Sequence, residues 1–582
     1  MTQLRPWFRT VSFGQRLRLG LDALIATLSH QVQAISDLTL RLGLAAFPAK
    51  VKGVACAPRD YKPPNLPQGQ AILAGEFAFM GGKISIGPEG NPWAMASPNR
   101  QFAAELHGFG WMSGLIAQGP EGCERALRLV LKWHREFGHW NPFSWDRAIL
   151  ERRVHAQACH LRALSQVASD RENAILTSVL LRQGRFLLAG WGHRRTEQAV
   201  IAAIAGCVLN GPSARRLQSM ALERLITLLH KTVLADGGHV SRSPEAALFL
   251  LLNLLSLDDG LSQKGQASPP AIAQAINRLT LGLRFFTLPD GGLAGFQGGE
   301  AVHSDAIASA RAHDDQNLDP SVAQQARQSG YQRLQTGSVA VIIDVGLPAS
   351  GAFAQTACAQ PLALEIVCGR DRLVTNGGWS PRLSQAQAYR LTSAGSTACL
   401  GQSSAGQILE GGLAKALGPR LVGAASAVQF QRHEVEQGLF LDASHNGWLA
   451  EFGLMHERRL FLQHSTDELR GEDRFVASRE KRSSTTIGRA IRLDVFFHLH
   501  PLVRPSLAQD RRSVLLITPT AGGWRLRTDA AVVSVEQGLC FVDGLPRRTQ
   551  KIVLRDSLAR TGGNKIRWKL ARADGAHQGG AA

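Results

Sequence analysis

A chain of 582 residues is too long for one ordinary hydrophobic core, so two or more domains are expected. With 44% hydrophobic and 19% charged residues it has a globular composition, which excludes a largely disordered chain. The formal charge of +19 favours anionic partners such as nucleic acid, acidic polysaccharide or anionic lipid, without choosing among them.

The first 60 residues carry eight Lys and Arg against three acids. They read as a basic arm with amphipathic helix around Leu17 to Ile25, which either packs on the body or lies on an anionic membrane surface. No export signal is visible in residues 1–20, and no run approaches the roughly 18 apolar residues of a membrane span. A proline-rich stretch, 58–67, reads as a linker, and 71–86 as a short strand pair.

From Ala103 apolar residues recur at i, i+3, i+4 and i+7. The spacing predicts helices over about 102–117, 121–138, 146–166, 170–190, 196–210, 213–233, 245–257 and 269–287, joined by short turns. Such antiparallel hairpins build a bundle or an α/α toroid. Between two of them lies Asp236-Gly-Gly-His-Val-Ser-Arg-Ser-Pro244, with Ser243 as N-cap and Pro244 in the first turn of the next helix. His239 and Arg242 ahead of a helix start suit an anionic ligand; a purely structural polar turn is the competing reading.

Residues 300–330 read as an interdomain loop. Beyond Tyr331 short alternating strands follow, among them 337–345, 362–367, 438–441, 459–462, 492–499, 513–517, 524–527 and 551–554, which predict an antiparallel sandwich. The region beyond Arg560 is basic and Gly-rich and reads as a flexible tail. The expected domains are thus an arm and linker (1–68), a helical domain (69–300), a linker (301–335), a β-sandwich (336–558) and a tail (559–582). Eight scattered cysteines without a Cys-x-x-Cys pair predict reduced thiols.

Several phrases in this order resemble the heparinase II/III family of polysaccharide lyases. They include His107-Gly-Phe-Gly-Trp111, Pro142-Phe-Ser-Trp145, Asp236-Gly-Gly-His-Val-Ser-Arg242, Pro289-Asp-Gly-Gly292, His445-Asn-Gly-Trp448, Phe497-His-Leu-His-Pro501 and Pro546-Arg-Arg548. The resemblance implies an α+β multidomain chain, an incomplete (α/α) toroid followed by an antiparallel β-sandwich, with an active groove where they meet. It also implies β-elimination next to a uronic acid in an acidic polysaccharide. In that chemistry the carboxylate is neutralised, a base takes the C5 proton and an acid protonates the leaving oxygen. The chain departs from the pattern: Val240 and Ala246 stand at two tyrosine positions, Cys358 at a histidine position, and 192–198 lacks an Asn-His pair.

The candidate catalytic residues are therefore His239, Arg242, His445 and Tyr389, and the candidate substrate contacts are Trp111, Trp145, His456 and Arg458. Relatives with a structural zinc direct attention to His433, His456, His464, Asp442 and Cys358, although their spacing is not diagnostic, and no cofactor is assigned. Two functions stand side by side: a lyase on an acidic polysaccharide, and a catalytically impaired relative that binds an anionic glycan or envelope polymer. A specific nucleic-acid binder lacks a supporting motif. The family implies periplasm or cell envelope, whereas the absence of a visible signal leaves the cytoplasm open.

Overall fold

The structure is a computed structural model that describes residues 11, 13–46, 51–189, 195–300, 304–313, 323–381, 386–478, 490–542, 544–559 and 564–573. Helices are α1 (Phe13–Ala46), α2 (Leu66–Leu73), α3 (Arg100–Gly108), α4 (Met112–Ile116), α5 (Pro120–Phe137), α6 (Arg147–Val167) and α7 (Asp170–Leu188). They continue with α8 (Thr196–Val208), α9 (Pro212–Thr232), α10 (Pro244–Gln263), α11 (Pro270–Phe286) and α12 (Ser304–Arg311), with two short helices, α13 (Gly412–Leu417) and α14 (Leu449–Phe452), in the sheet half. The helical half is an incomplete toroid around a core containing Trp111, Trp133, Leu180, Ile204 and Leu254.

Most helix boundaries follow from the sequence. Ser169 and Glu172 form a capping box at the start of α7, and Ser243 caps α10 through its side chain. The expected helix 102–117 is instead two, because Phe109 adopts a left-handed backbone (φ 59°) that ends α3. The expected strand from Ala71 is a second difference. Asn65 caps α2 and a proline opens it, so residues 66–73 are helical and the hairpin begins at Glu76. The proline-rich stretch is docked on the toroid, with Arg59 N–H donating to Asp259 and Tyr61 buried.

The strands are β1 (Glu76–Phe79), β2 (Gly82–Ser85), β3 (Gln325–Ala326), β4 (Tyr331–Thr336), β5 (Val339–Asp344), β6 (Leu364–Cys368) and β7 (Asp371–Thr375). Then come β8 (Ala398–Leu400), β9 (Gln407–Ile408), β10 (Leu421–Val422), β11 (Val428–Val435), β12 (Gly438–His445), β13 (Leu454–Gln463) and β14 (Leu469–Ala477). The last are β15 (Ile491–Leu499), β16 (Arg504–Leu507), β17 (Ser513–Ile517), β18 (Gly523–Thr528), β19 (Val532–Val542), β20 (Leu545–Leu558) and β21 (Lys565–Arg572). Two sheets face each other: β11-β12-β13-β14-β21-β18-β17-β16, and a larger one ordered β19-β20-β15-β7-β6-β5-β4-β3 with β8 on β15. Leu441, Leu460, Phe475, Val495, Phe497 and Trp568 fill the space between them.

The expected tail contains a central strand. β21 pairs with both β14 and β18, and its alternating Ile566, Trp568 and Leu570 are buried.

Two turns of the same design join the halves. In Leu234-Ala-Asp-Gly-Gly-His239, Asp236 accepts from Gly238 N–H and, with its other oxygen, from Gln328 and Ser329 N–H ahead of β4. In Leu288-Pro-Asp-Gly-Gly-Leu293, Asp290 accepts from Gly292 N–H and receives Arg372 of β7 at 2.8 and 3.1 Å. A side chain at Gly237 would collide with Arg278 O and Gly282 N of α11, so that position requires glycine.

Candidate functional site

His239, directly after the second glycine, and Arg242, directly before the Ser243 cap of α10, sit at the junction between toroid and sheet. Their roles there follow from their partners. Arg242, itself in the left-handed region (φ 65°), donates to Ser329 O, Leu347 O and Gly330 O and pairs with Asp344 at the end of β5. The guanidinium also lies 4.9 Å from the Tyr331 ring, whose hydroxyl donates back to Arg242 O at 2.7 Å. Asp344 accepts a further bond from Gln297, whose carbonyl in turn receives Cys358 N–H. Burial would lower the Arg242 pKa, but Asp344 outweighs it and raises it. This guanidinium is a buried tie between the halves, with its fork occupied by protein acceptors.

His239 is 2% exposed. Ser241 N–H donates to its Nδ1 at 3.1 Å and the Ser241 hydroxyl lies 2.7 Å from the same nitrogen. Nδ1 is thus the acceptor, and Nε2 faces Glu197 Oε1 of α8 at 3.5 Å. Phe353 stands edge-on to the imidazole at 5.7 Å. Burial pushes the Glu197 carboxyl up, yet the neighbouring His239 and Arg195 overcome that and hold it down at about 2. Glu151 of α6 behaves oppositely. Burial lifts it to about 7, with Arg195 opposing and Glu197 adding to the rise. Two carboxyls in one electrostatic neighbourhood with pKa values pushed apart is a pattern of acid–base sites. Neither was singled out by sequence. The only signal was Glu197 in the first turn of α8, where the helix N-terminus favours an anion. The adjoining 190–194 lies outside the described residues.

The other candidates are elsewhere. His445, His456 and Arg458 are at most 1% exposed, between the two sheets. Gly447 N–H donates to His445 Nδ1, so His445 Nε2–H must donate to His456 Nδ1, 3.0 Å away. His456 Nε2–H then donates to Asp473 at 2.8 Å, and Arg458 grips the same carboxylate at 2.7 and 3.1 Å. Trp568 Nε1–H completes the set. Burial lowers both imidazoles, so they stay neutral, while Arg458 and His456 keep Asp473 ionised against its own desolvation. This is a satisfied polar string in the sandwich core, and a polymer has no path to it.

Trp111 and Trp145, expected as sugar platforms, are 1% and 5% exposed and donate to Leu106 O and Phe137 O. Their rings fill the toroid core. Tyr389 is partly exposed, packs edge-on to Phe541 at 4.7 Å and lines a cavity of about 660 Å³ with His498, Arg548 and Lys551. No hydrogen bond or ring contact joins it to His239 among the described residues. The zinc candidates do not converge: among the described residues no three His, Cys, Asp or Glu gather as a metal site, and His456 is already engaged on both nitrogens.

Known proteins are similar to this chain. Residues 319–569 match the family described as heparinase II/III-like, C-terminal. Over 527 residues the chain is 46% identical to FtsZ-localized protein C of Caulobacter vibrioides (strain NA1000 / CB15N), covering 90% of this chain and 91% of that protein. A crystal structure of a heparan sulfate lyase HepC mutant from Pedobacter heparinus superposes with a TM-score of 0.57 at 16% identity, over 93% of this chain and 88% of that one. A crystal structure of heparinase III gives a TM-score of 0.64 at 13% identity, over 84% and 80%. At such identities the two structures carry the fold alone, an α/α toroid joined to a β-sandwich.

Proposed function

The chain belongs to the heparinase II/III family, and from that premise we propose that it is a binding protein of that lyase-like fold, holding an anionic glycan or envelope polymer without eliminating it. The carrying observation is the state of Arg242. A uronate carboxylate must be neutralised before its C5 proton can leave, and this guanidinium is committed to Asp344 and three carbonyls. His239 is sealed by Phe353, Ser241 and Glu197, and the two tyrosine positions of the pattern hold Val240 and Ala246. The net charge of +19 supports the anionic partner. The lyase reading stays with Glu151, whose near-neutral carboxyl is the best remaining acid or base.

Retention of the protein on immobilised polyglucuronate and heparin tests this directly. Salt-sensitive retention of the wild type is expected; passage through both columns at low salt would sink the binder reading.

A second reading concerns place. The relative at 46% identity is named for localisation with FtsZ, and we propose the same address for this chain, with α1 as a membrane-surface element. Leu17, Leu21, Leu24, Ile25 and Leu28 of α1 are more than half exposed and recur at helical spacing beside Arg16 and Arg18. None of the described helices is long and apolar enough to cross a membrane. A fluorescent fusion imaged with labelled FtsZ checks the address: coincident signals are expected, and a uniform signal contradicts it.

A further inference from the structure

The outward face of the eight-stranded sheet carries two adjacent rows of side chains whose charges are organised differently. Strand register defines them. Along one row Asp442 faces Arg459, Arg459 faces Glu472 and Glu472 faces Arg567. Signs alternate, and two of the contacts are ion pairs, at 3.4 and 3.0 Å. This row neutralises itself.

The neighbouring row does not. Phe440 faces Phe461, which faces Arg470, then Lys569, then Arg527. Three cations stand directly side by side on β14, β21 and β18, an arrangement that is destabilising on a bare sheet. Among the described residues Glu468 pairs with both Arg470 and Lys569, and Arg527 helps hold the Asp510 carboxyl below its ordinary range. Arg527 has no ion pair among the described residues, and neither has Arg512 beside it. Beyond the cations, Phe440 is 39% exposed and stacks on Phe461 at 4.3 Å with a 30° tilt. Together the rows line a cavity of about 730 Å³ containing six cationic and three acidic side chains.

We propose that this face docks a short extended segment of another protein, with an apolar side chain seated on the Phe440–Phe461 pair and carboxylates over Arg470, Lys569 and Arg527. Charge complementarity fixes the sign of the occupant, and the order of the row fixes its layout, apolar at one end and acidic at the other. Five strands at about 4.8 Å spacing span about 19 Å, the reach of roughly six extended residues. A polyanion charged at every unit fits less well, because Asp442, Glu472 and Asp529 line the same cavity and would repel it. A sugar platform fits less well too, since the two phenyl rings spend one face each on the other. The inference is independent of the glycan reading.

The test uses the full chain and a fluorescein-labelled peptide with a Phe-Leu pair followed by four alternating Asp and Ser residues, read by anisotropy. Salt-sensitive binding is expected. It should weaken by about tenfold or more in the double variant Lys569→Glu with Arg527→Glu, and also in Phe440→Ser. Arg548→Glu, on β20 in the other sheet, should leave it unchanged, and a peptide with Lys in place of Asp should not bind. Absence of peptide binding, binding indifferent to these three substitutions, or polyglucuronate held more tightly with the same sensitivity would each overturn the proposal.

Discussion

Arg242 of the toroid and Asp344 of the sheet form a buried ion pair at the point where the two halves meet. Gly330 and Gly346 make room for it: a Cβ on Gly346 would come within 2.5 Å of the Arg242 guanidinium. Removing one partner of such a pair leaves a charge buried alone. Arg242→Ala is therefore expected to destabilise the fold by about 3–5 kcal/mol. Arg242→Lys, which keeps the charge but loses the fork, should recover only part of this. Urea unfolding of the three proteins gives the comparison.

Glu151 makes stability depend on pH. Its folded pKa of about 7 lies above the ordinary glutamate value of about 4.5, so the native state holds the proton more tightly than the unfolded chain. Its contribution is complete below pH 4.5 and falls away as pH rises through 7. Glu151→Gln should accordingly raise stability at pH 8 by about 1–3 kcal/mol and change it little at pH 4. Thermal melts at the two pH values check the sign.

The string from His445 to Asp473 predicts two neutral imidazoles, because each has one nitrogen accepting and the other donating and burial lowers both. A histidine whose folded pKa is depressed supports the native state above about pH 6.5 and withdraws that support as pH falls. Nitrogen-15 spectra of labelled histidine should show His445 and His456 each as a single Nε2–H tautomer at pH 6. A protonated imidazolium at that pH would contradict the assignment.

Trp568 is the anchor of β21, packed edge-on to Phe497 and donating to Asp473 at 3.1 Å. Trp568→Ala should cost about 3–5 kcal/mol. Trp568→Phe, which keeps the ring and loses the donor, should cost about 1–3 kcal/mol. Denaturant midpoints read both.

Sequence periodicity carried most of this architecture. Leu225 and Leu229 point inward as their i, i+4 spacing implies, and Ser243 caps where a serine before a proline should. β21 was missed although Ile566, Trp568 and Leu570 alternate cleanly, because glycines and cations around them give the composition of a loose end. The site was far less legible. Whether an arginine meets a substrate or a carbonyl depends on what the fold brings to it. The acceptors of Arg242 lie 87 to 105 residues away. The same holds for His445, a catalytic candidate, and His456, a substrate-contact candidate, which lie opposite each other on a strand pair whose face proves to be the inward one.

The exposed leucines of α1 give a further expectation. Leu21→Glu with Leu24→Glu should abolish co-sedimentation with vesicles of mixed phosphatidylglycerol and phosphatidylethanolamine. The wild type should pellet with them in low salt. Equal pelleting of both proteins would remove α1 from any membrane role.

Arg242, the residue proposed to meet a uronate carboxylate, is bound instead to Asp344 and three backbone carbonyls, and elimination is therefore not expected. Ultraviolet absorbance of unsaturated uronate ends, followed during incubation with a panel of polyuronates and glycosaminoglycans, tests it most directly. A flat trace is expected for the wild type with every polymer it retains, and the same flat trace for His239→Ala. Absorbance that grows with the wild type and is lost in His239→Ala would contradict it and establish a working lyase.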